Sequence, residues 1–175
     1  MAFQLGHRIS VDFDLFWQKN IPRDLLLEIK RVFKNFEIKV VVNHLEQLTV
    51  AIDGINVSFV KYPFPVISKP IEYQGIKILA PLEIAAMKAY ALGRRATLKD
   101  YVDLYFVLKE KVSSLEEIIA FCEEKYGSEF NLRLFLEQLI YLEDVEKIEI
   151  RFLKERIAIS KIERFFEGEV KKIKF

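Results

Sequence analysis

The sequence predicts an α+β fold: a small mixed sheet within residues 1–80, followed by an all-helical half over 81–175. Three observations point there. Residues 8–16 alternate between apolar and polar types as far as Leu15, the period of a strand. Two β-branched runs, Ile38 to Val42 and Leu48 to Ile52, follow, and Asp53-Gly54 then separates Ile52 from Ile55. After Pro81 the apolar spacing changes to the three- and four-residue steps of helices.

Taken in order, Ile9, Val11, Phe13 and Leu15 fall on one face of the first strand, and Ser10, Asp12 and Asp14 on the other. The apolar face would anchor it as a central strand. Pro22 opens a helix, because its fixed φ suits a first turn, with Leu25, Leu26, Ile29, Val32 and Phe33 as the buried stripe. Asp53-Gly54 predicts a hairpin, since both residues tolerate positive φ, and the return strand runs through Val57 to Val60. Tyr62-Pro63-Phe64-Pro65 ends it, because proline cannot donate to the ladder. The spacing then predicts helices over Leu82 to Leu92, with Gly93 as a stop, and over Leu98 to Leu108. Thr97-Leu98-Lys99-Asp100 and Ser113-Ser114-Leu115-Glu116 read as capping boxes. Asn131 to Leu142 and Ile159 to Lys172 complete the helical half.

Composition narrows the function classes. The 175 residues are 51% hydrophobic with a formal net charge of +1, so no global field favours nucleic acid or a membrane surface. A single cysteine, Cys122 in an apolar stretch, excludes an intrachain disulfide framework and a cysteine-rich zinc site. No apolar run approaches the ~20 residues of a membrane span, and the first residues lack the order of a signal peptide. The expectation is a cytoplasmic protein with no membrane contact.

Chemistry gathers at Asp12 and Asp14. At i and i+2 of a strand they project to the same side, and two ionised carboxylates there repel unless a cation lies between them. Mg²⁺ suits such a pair, because it takes hard oxygen ligands and keeps sites for phosphate oxygens. On the Leu82 helix, Ile84, Lys88, Ala91 and Arg95 share one stripe, so Lys88 points partly toward the fold. Arg94, Arg95 and Lys99 add positive charge where the next helix begins. His7 reads as a structural residue, and His44 as turn surface.

The segment Gln4-Leu5-Gly6-His7-Arg8-Ile9-Ser10-Val11-Asp12-Phe13-Asp14-Leu15-Phe16 resembles the active-site strand of the AbiEii/AbiGii-type nucleotidyltransferase toxins, within the DNA polymerase β-like superfamily. Leu82-Glu83-Ile84-Ala85-Ala86-Met87-Lys88 and Arg94-Arg95-Ala96-Thr97-Leu98-Lys99-Asp100-Tyr101-Val102-Asp103-Leu104 are similar to two further motifs of that family, in the same order. The resemblance implies a nucleotidyltransferase-type palm that transfers a nucleotide from an NTP to an acceptor, RNA such as tRNA. The chain would be the toxin of a toxin–antitoxin or phage-defence pair, with a cognate antitoxin. It implies Asp12, Asp14 and Lys88 as catalytic residues, Asp12 and Asp14 as ligands of Mg²⁺, and Arg8, Ser10, Arg94, Arg95, Lys99 and Asp100 as substrate-binding residues.

Two departures accompany the resemblance. The glycine turn that family members carry before the Gly-His-Arg segment is not present, as if the chain were truncated at its N-terminus. The strand expected to carry a third carboxylate has Asn56 and Ser58 at its polar positions. The alternative is therefore a catalytically silent member of the fold that binds RNA, a nucleotide or a protein.

Overall fold

The computed structural model describes residues 1–95, 97–146 and 148–174. Ala96, inside the third motif, and the terminal Phe175 of the helical half lie outside the described residues. The chain divides into two compact units, Ser10–Pro65 and a second built from Met1–Ile9 with Val66–Phe175. The fold is mixed α+β.

In Ser10–Pro65, strands β1 (Asp12–Trp17), β2 (Ile38–His44), β3 (Gln47–Ile52) and β4 (Ile55–Lys61) form one sheet in the order β1-β4-β3-β2. β1 runs parallel to β4, and the other pairs are antiparallel. The turn between β3 and β4 places Asp53 at φ 47° and Gly54 at φ 82°, as the dipeptide predicts. The Asp53 side chain also accepts a hydrogen bond from the Glu37 amide at 2.8 Å, which fixes the entry to β2. Val41 is the extra residue of a β-bulge, so β2 changes which residues it turns to each face.

Helix α2 (Leu25–Val32) covers one side of this sheet. Ile21 and Ile29 pack with Leu48, Val50 and Ile52, flanked by Leu25, Leu26, Phe33, Val57 and Phe59. Each fully buried aliphatic here contributes about 1.5–3 kcal/mol over its exposed state.

Two expectations fail at the margins of this core. β1 is an edge strand rather than a central one, and Val11 and Phe13 are each 60% exposed. Val32 belongs to no buried stripe; it is 71% exposed. A helix of eight residues is only ~12 Å long, and among the described residues the core beneath it takes in β3, β4 and Ile38 of β2 but none of β1. The strand also starts late: Arg8 bridges to Phe152, and the sheet register begins at Asp12.

The other unit is a helical body. Helix α1 (Ala2–Leu5) precedes a hairpin of β5 (Ile71–Tyr73) and β6 (Ile76–Ile78), turned at Gln74 and Gly75 with positive φ. The sequence pattern gave no element for this stretch. Helices α3 (Pro81–Leu92), α4 (Leu98–Lys109), α5 (Leu115–Tyr126), α6 (Leu132–Ile140) and α7 (Ile159–Val170) follow. Ala85, Ala86 and Ala89 are small enough for α3 to approach its neighbours closely, and all three are buried. Every residue from Tyr101 to Leu108 is buried, which makes α4 the internal helix of the body.

The second capping box is shifted by one residue from its predicted position. Ser114 is the cap: its hydroxyl accepts from the Glu117 amide at 3.1 Å, while Glu117 accepts from the Ser114 amide at 2.7 Å. Cys122 is buried as a core residue, and burial pushes its thiol up to about 12.

A buried ion pair braces this body from within. Lys125 of α5 pairs with Glu83 of α3, both side chains being fully enclosed. Glu83 also accepts from the Ile67 amide at 3.2 Å, and from the amide and hydroxyl of Ser68, each at 2.9 Å. Burial alone would raise the Glu83 pKa; the hydrogen bonds from Lys125 and Ser68 outweigh it and hold the carboxyl below its ordinary value.

Candidate functional site

The sequence-predicted residues form one constellation within each unit. Asp12 and Asp14 lie on the same face of β1, about 6.6 Å apart along the strand. Opposite them in register stand Asn56 and Ser58 of β4, so this is a polar sheet face with four side chains in two rungs. The Asn56 amide donates to Asp12 Oδ1 at 3.2 Å. One strand further in, Thr49 Oγ1 bonds Ser58 Oγ at 3.1 Å and accepts from Gln47 at 3.0 Å. Asp12 is half-buried and Asp14 exposed, so the edge position of β1 keeps both carboxylates accessible. Ser10 is exposed just before the strand.

This donor set fits a magnesium ion. Mg²⁺ is commonly held by one or two carboxylates with water and substrate phosphates completing its octahedron. Among the described residues no group of three His, Cys, Asp or Glu side chains could hold a metal, so the protein would contribute the aspartate pair alone. Asn56 and Ser58 stand where a third carboxylate was sought. They supply an amide and a hydroxyl, and neither is a base at neutral pH.

The second constellation surrounds Asp103. His7 Nε2 lies 2.6 Å from Asp103 Oδ1, with the ring and the carboxylate both fully enclosed. Arg8 donates from Nε to Oδ1 at 2.7 Å and from Nη2 to Oδ2 at 2.9 Å, the two-pronged geometry that a guanidinium offers a carboxylate. Lys88 Nζ reaches Asp103 Oδ2 at 2.8 Å and Asp100 Oδ1 at 2.7 Å. Asp100 in turn accepts from the Thr97 hydroxyl at 2.7 Å and the Thr97 amide at 3.2 Å, closing the start of α4. Arg8 and Lys88 balance Asp100 and Asp103 in charge, which is what lets the group be buried.

The electrostatics follow from this packing. Burial would raise the Asp103 pKa, but the His7 hydrogen bond, the Lys88 charge and the Arg8 contacts outweigh it and hold the carboxyl far below its usual range. Burial would likewise lower Lys88, and the Asp103 and Asp100 carboxylates reverse the sign, so its pKa is raised. His7 Nε2 carries the proton in the tautomer that donates to a carboxylate, and Nδ1 has no hydrogen-bond partner among the described residues.

Of the residues singled out in the sequence, Arg8, Lys88 and Asp100 are thus brought together, and Asp12 with Asp14. Arg94 and Arg95 are exposed, and Lys99 is half-buried. The Arg94 guanidinium is turned to backbone carbonyls, Tyr90 O at 3.2 Å and Glu129 O at 3.3 Å. Two members of the buried network, His7 and Asp103, are not among the candidate site residues of the sequence. A signal existed for Asp103. It is the only charged residue in the otherwise apolar run Tyr101 to Leu108, and a carboxylate in such a run needs a partner.

The chain is 28% identical over 173 residues to an uncharacterized protein of Aquifex aeolicus (strain VF5), covering 98% of this chain and 82% of that one. The crystal structure of JHP933 from Helicobacter pylori is similar with a TM-score of 0.43 and 20% identity, over 76% of this chain and 57% of that one. A second H. pylori crystal structure, of a candidate nucleotidyltransferase, gives 0.45 and 22%, over 79% and 63%. The chain therefore spans about six-tenths of the length of those two solved proteins. The model of the family described as "Nucleotidyl transferase AbiEii toxin, Type IV TA system" matches residues 1–173. With that match covering nearly every residue, the chain belongs to the AbiEii nucleotidyl transferase toxin family.

Proposed function

We propose that this protein transfers a nucleotide from an NTP to an RNA acceptor such as tRNA, acting in the cytoplasm as a toxin that a cognate antitoxin opposes. The observation that carries the reading is the accessible pair Asp12 and Asp14 on one face of β1, in register with Asn56 and Ser58. Magnesium held by these two carboxylates would polarise the phosphoryl oxygens and offset charge as the α-phosphorus is attacked. In the overall exchange an acceptor hydroxyl oxygen bonds to the α-phosphorus and gives its proton to water, the bond to the bridging oxygen of the β-phosphate breaks, and pyrophosphate leaves. Asn56 positions Asp12 through its amide hydrogen bond. Lys88 has three N–H donors, and Asp100 and Asp103 together account for two of them; we assign the third to phosphate, with Arg95 and Lys99 adding charge.

The second reading is a silent member of the fold that binds RNA, a nucleotide or a protein. It is favoured by the amide and hydroxyl at Asn56 and Ser58, where a carboxylate would complete a metal-bound base. One experiment separates the two: incubation with each radiolabelled NTP, Mg²⁺ and total RNA, beside an Asp12→Ala control. Label should enter RNA with the native chain, fall by at least ~10²-fold in the variant and vanish with chelator. No transfer from any NTP, or transfer indifferent to Asp12→Ala, would decide for the silent reading.

A further inference from the structure

A cleft in the helical body is built for a flat ring. Tyr126 of α5 stacks on Tyr90 of α3 with centroids 4.1 Å apart and the planes within 18°. The Arg94 guanidinium carbon lies 3.6 Å from the same Tyr90 centroid. Both contacts are at stacking distance, and one ring face cannot hold both, so Arg94 occupies the other face. The result is a three-layer stack, Tyr126–Tyr90–Arg94, ending in an exposed guanidinium. Two carbonyls fix the guanidinium edge, Tyr90 O and Glu129 O. Its hydrogen-bonding capacity is thus partly spent, and its flat outer face is what it offers a ligand.

The space beside this stack measures about 240 Å³ and is walled by Gly93, Phe130 and Leu134. That is below the ~300–1,000 Å³ of sites that hold drug-sized molecules, so a single ring system fits and a whole nucleoside triphosphate does not. Polarity at the rim argues the same way. Glu129 lines the cleft, and its carboxylate accepts from the Tyr90 hydroxyl at 3.1 Å through Oε2, so Oε1 can accept a further donor. A carboxylate beside Arg94 disfavours a phosphate and favours a neutral ligand with N–H groups on its edge.

We infer that the Tyr90–Arg94–Glu129 cleft binds one unpaired nucleobase bearing an exocyclic amino group, stacked on the Arg94 face with its amino group donating to Glu129. The inference rests on the transfer reading only in giving the base a purpose, as a hold on the acceptor strand. Stacking is worth enough to be read directly, since one base on one platform changes affinity by roughly 5- to 150-fold.

The test uses fluorescein-labelled hexamers rA6, rC6 and rU6 in anisotropy titrations against the full chain, with AMP as a competitor. Adenine and cytosine carry the amino donor and uracil does not, so rA6 and rC6 should bind more tightly than rU6. Arg94→Ala should weaken rA6 about tenfold, and Arg94→Lys should not restore it, because an ammonium has no flat face. Glu129→Ala should erase the preference for rA6 over rU6. Tyr90→Phe keeps the platform and should retain rA6 binding, which separates stacking from loss of fold. Displacement by AMP would make a free nucleotide the source of the base; AMP without effect would make it the strand. Equal rA6 binding by the native chain and Arg94→Ala overturns the proposal. Asp12→Ala keeps the transfer reading separate: it should abolish transfer while leaving hexamer binding intact.

Discussion

Asp103 and Asp12 are both aspartates beside nitrogen donors, yet their surroundings have opposite physical consequences. Asp103 is fully enclosed and receives His7, Arg8 and Lys88 on its two oxygens. Asp12 is half-buried, takes an amide from Asn56, and has the exposed Asp14 two residues on. A buried carboxylate that satisfied is a fixed part of the fold, because removing any partner strands a charge in a low-dielectric interior. Two neighbouring carboxylates near solvent keep their hydration and cost little to hold in one place. The same residue type thus serves architecture in one region, and in the other is the pair to which the proposed reading gives a metal.

The comparison can be broken most readily at Asp103. Asp103→Ala leaves Arg8 and part of the Lys88 charge uncompensated in the interior, and should cost about 3–5 kcal/mol in urea-induced unfolding. A cost under 1 kcal/mol would show that the network contributes nothing to the fold.

Acidity provides the next test. The Asp103 and Glu83 carboxyls are held below their ordinary values, so the folded chain binds fewer protons there than the unfolded one. Their contribution is complete above the unfolded value near ~4 and is lost as pH falls through the folded value. Lys88 is raised, so its contribution is complete below ~10.4 and fades only as pH climbs past its folded value. Melting temperature should accordingly form a plateau between roughly pH 5 and 10 and fall on both sides. Unchanged stability at pH 3 would remove the network from the account.

Asp12→Asn is the smallest expected change. It relieves repulsion with Asp14 and retains a polar group beside Asn56, so stability should move by less than ~0.5 kcal/mol in the same unfolding assay. A loss as large as that of Asp103→Ala would make the sheet pair structural too.

These contrasts explain what the sequence discloses and what it hides. Alternation across residues 8–16 put Asp12 and Asp14 on one face correctly, because side-chain direction in a strand is a local property. It did not reveal that β1 is an edge strand, since period two reports the faces and not what covers them. Val32 fits the helical stripe equally well and is exposed for the same reason. The Asp53-Gly54 turn was legible through its backbone chemistry, whereas strands of three residues around Gln74-Gly75 are too short to make a period. Asp103 reads locally as a helix-start acid. Its partners His7 and Arg8 lie 96 and 95 residues away, a relation no window along the chain contains.

The Glu83 carboxylate has a consequence beyond its pairing with Lys125. The stretch after Val66 leads toward β5 without regular structure, and such a stretch would ordinarily trade its amide protons with solvent freely. Here the Ile67 and Ser68 amides are clasped by an anion that solvent does not reach. Their isotope exchange is governed by opening of the α3–α5 pairing rather than by local fraying, so an irregular segment inherits the lifetime of the helices beneath it.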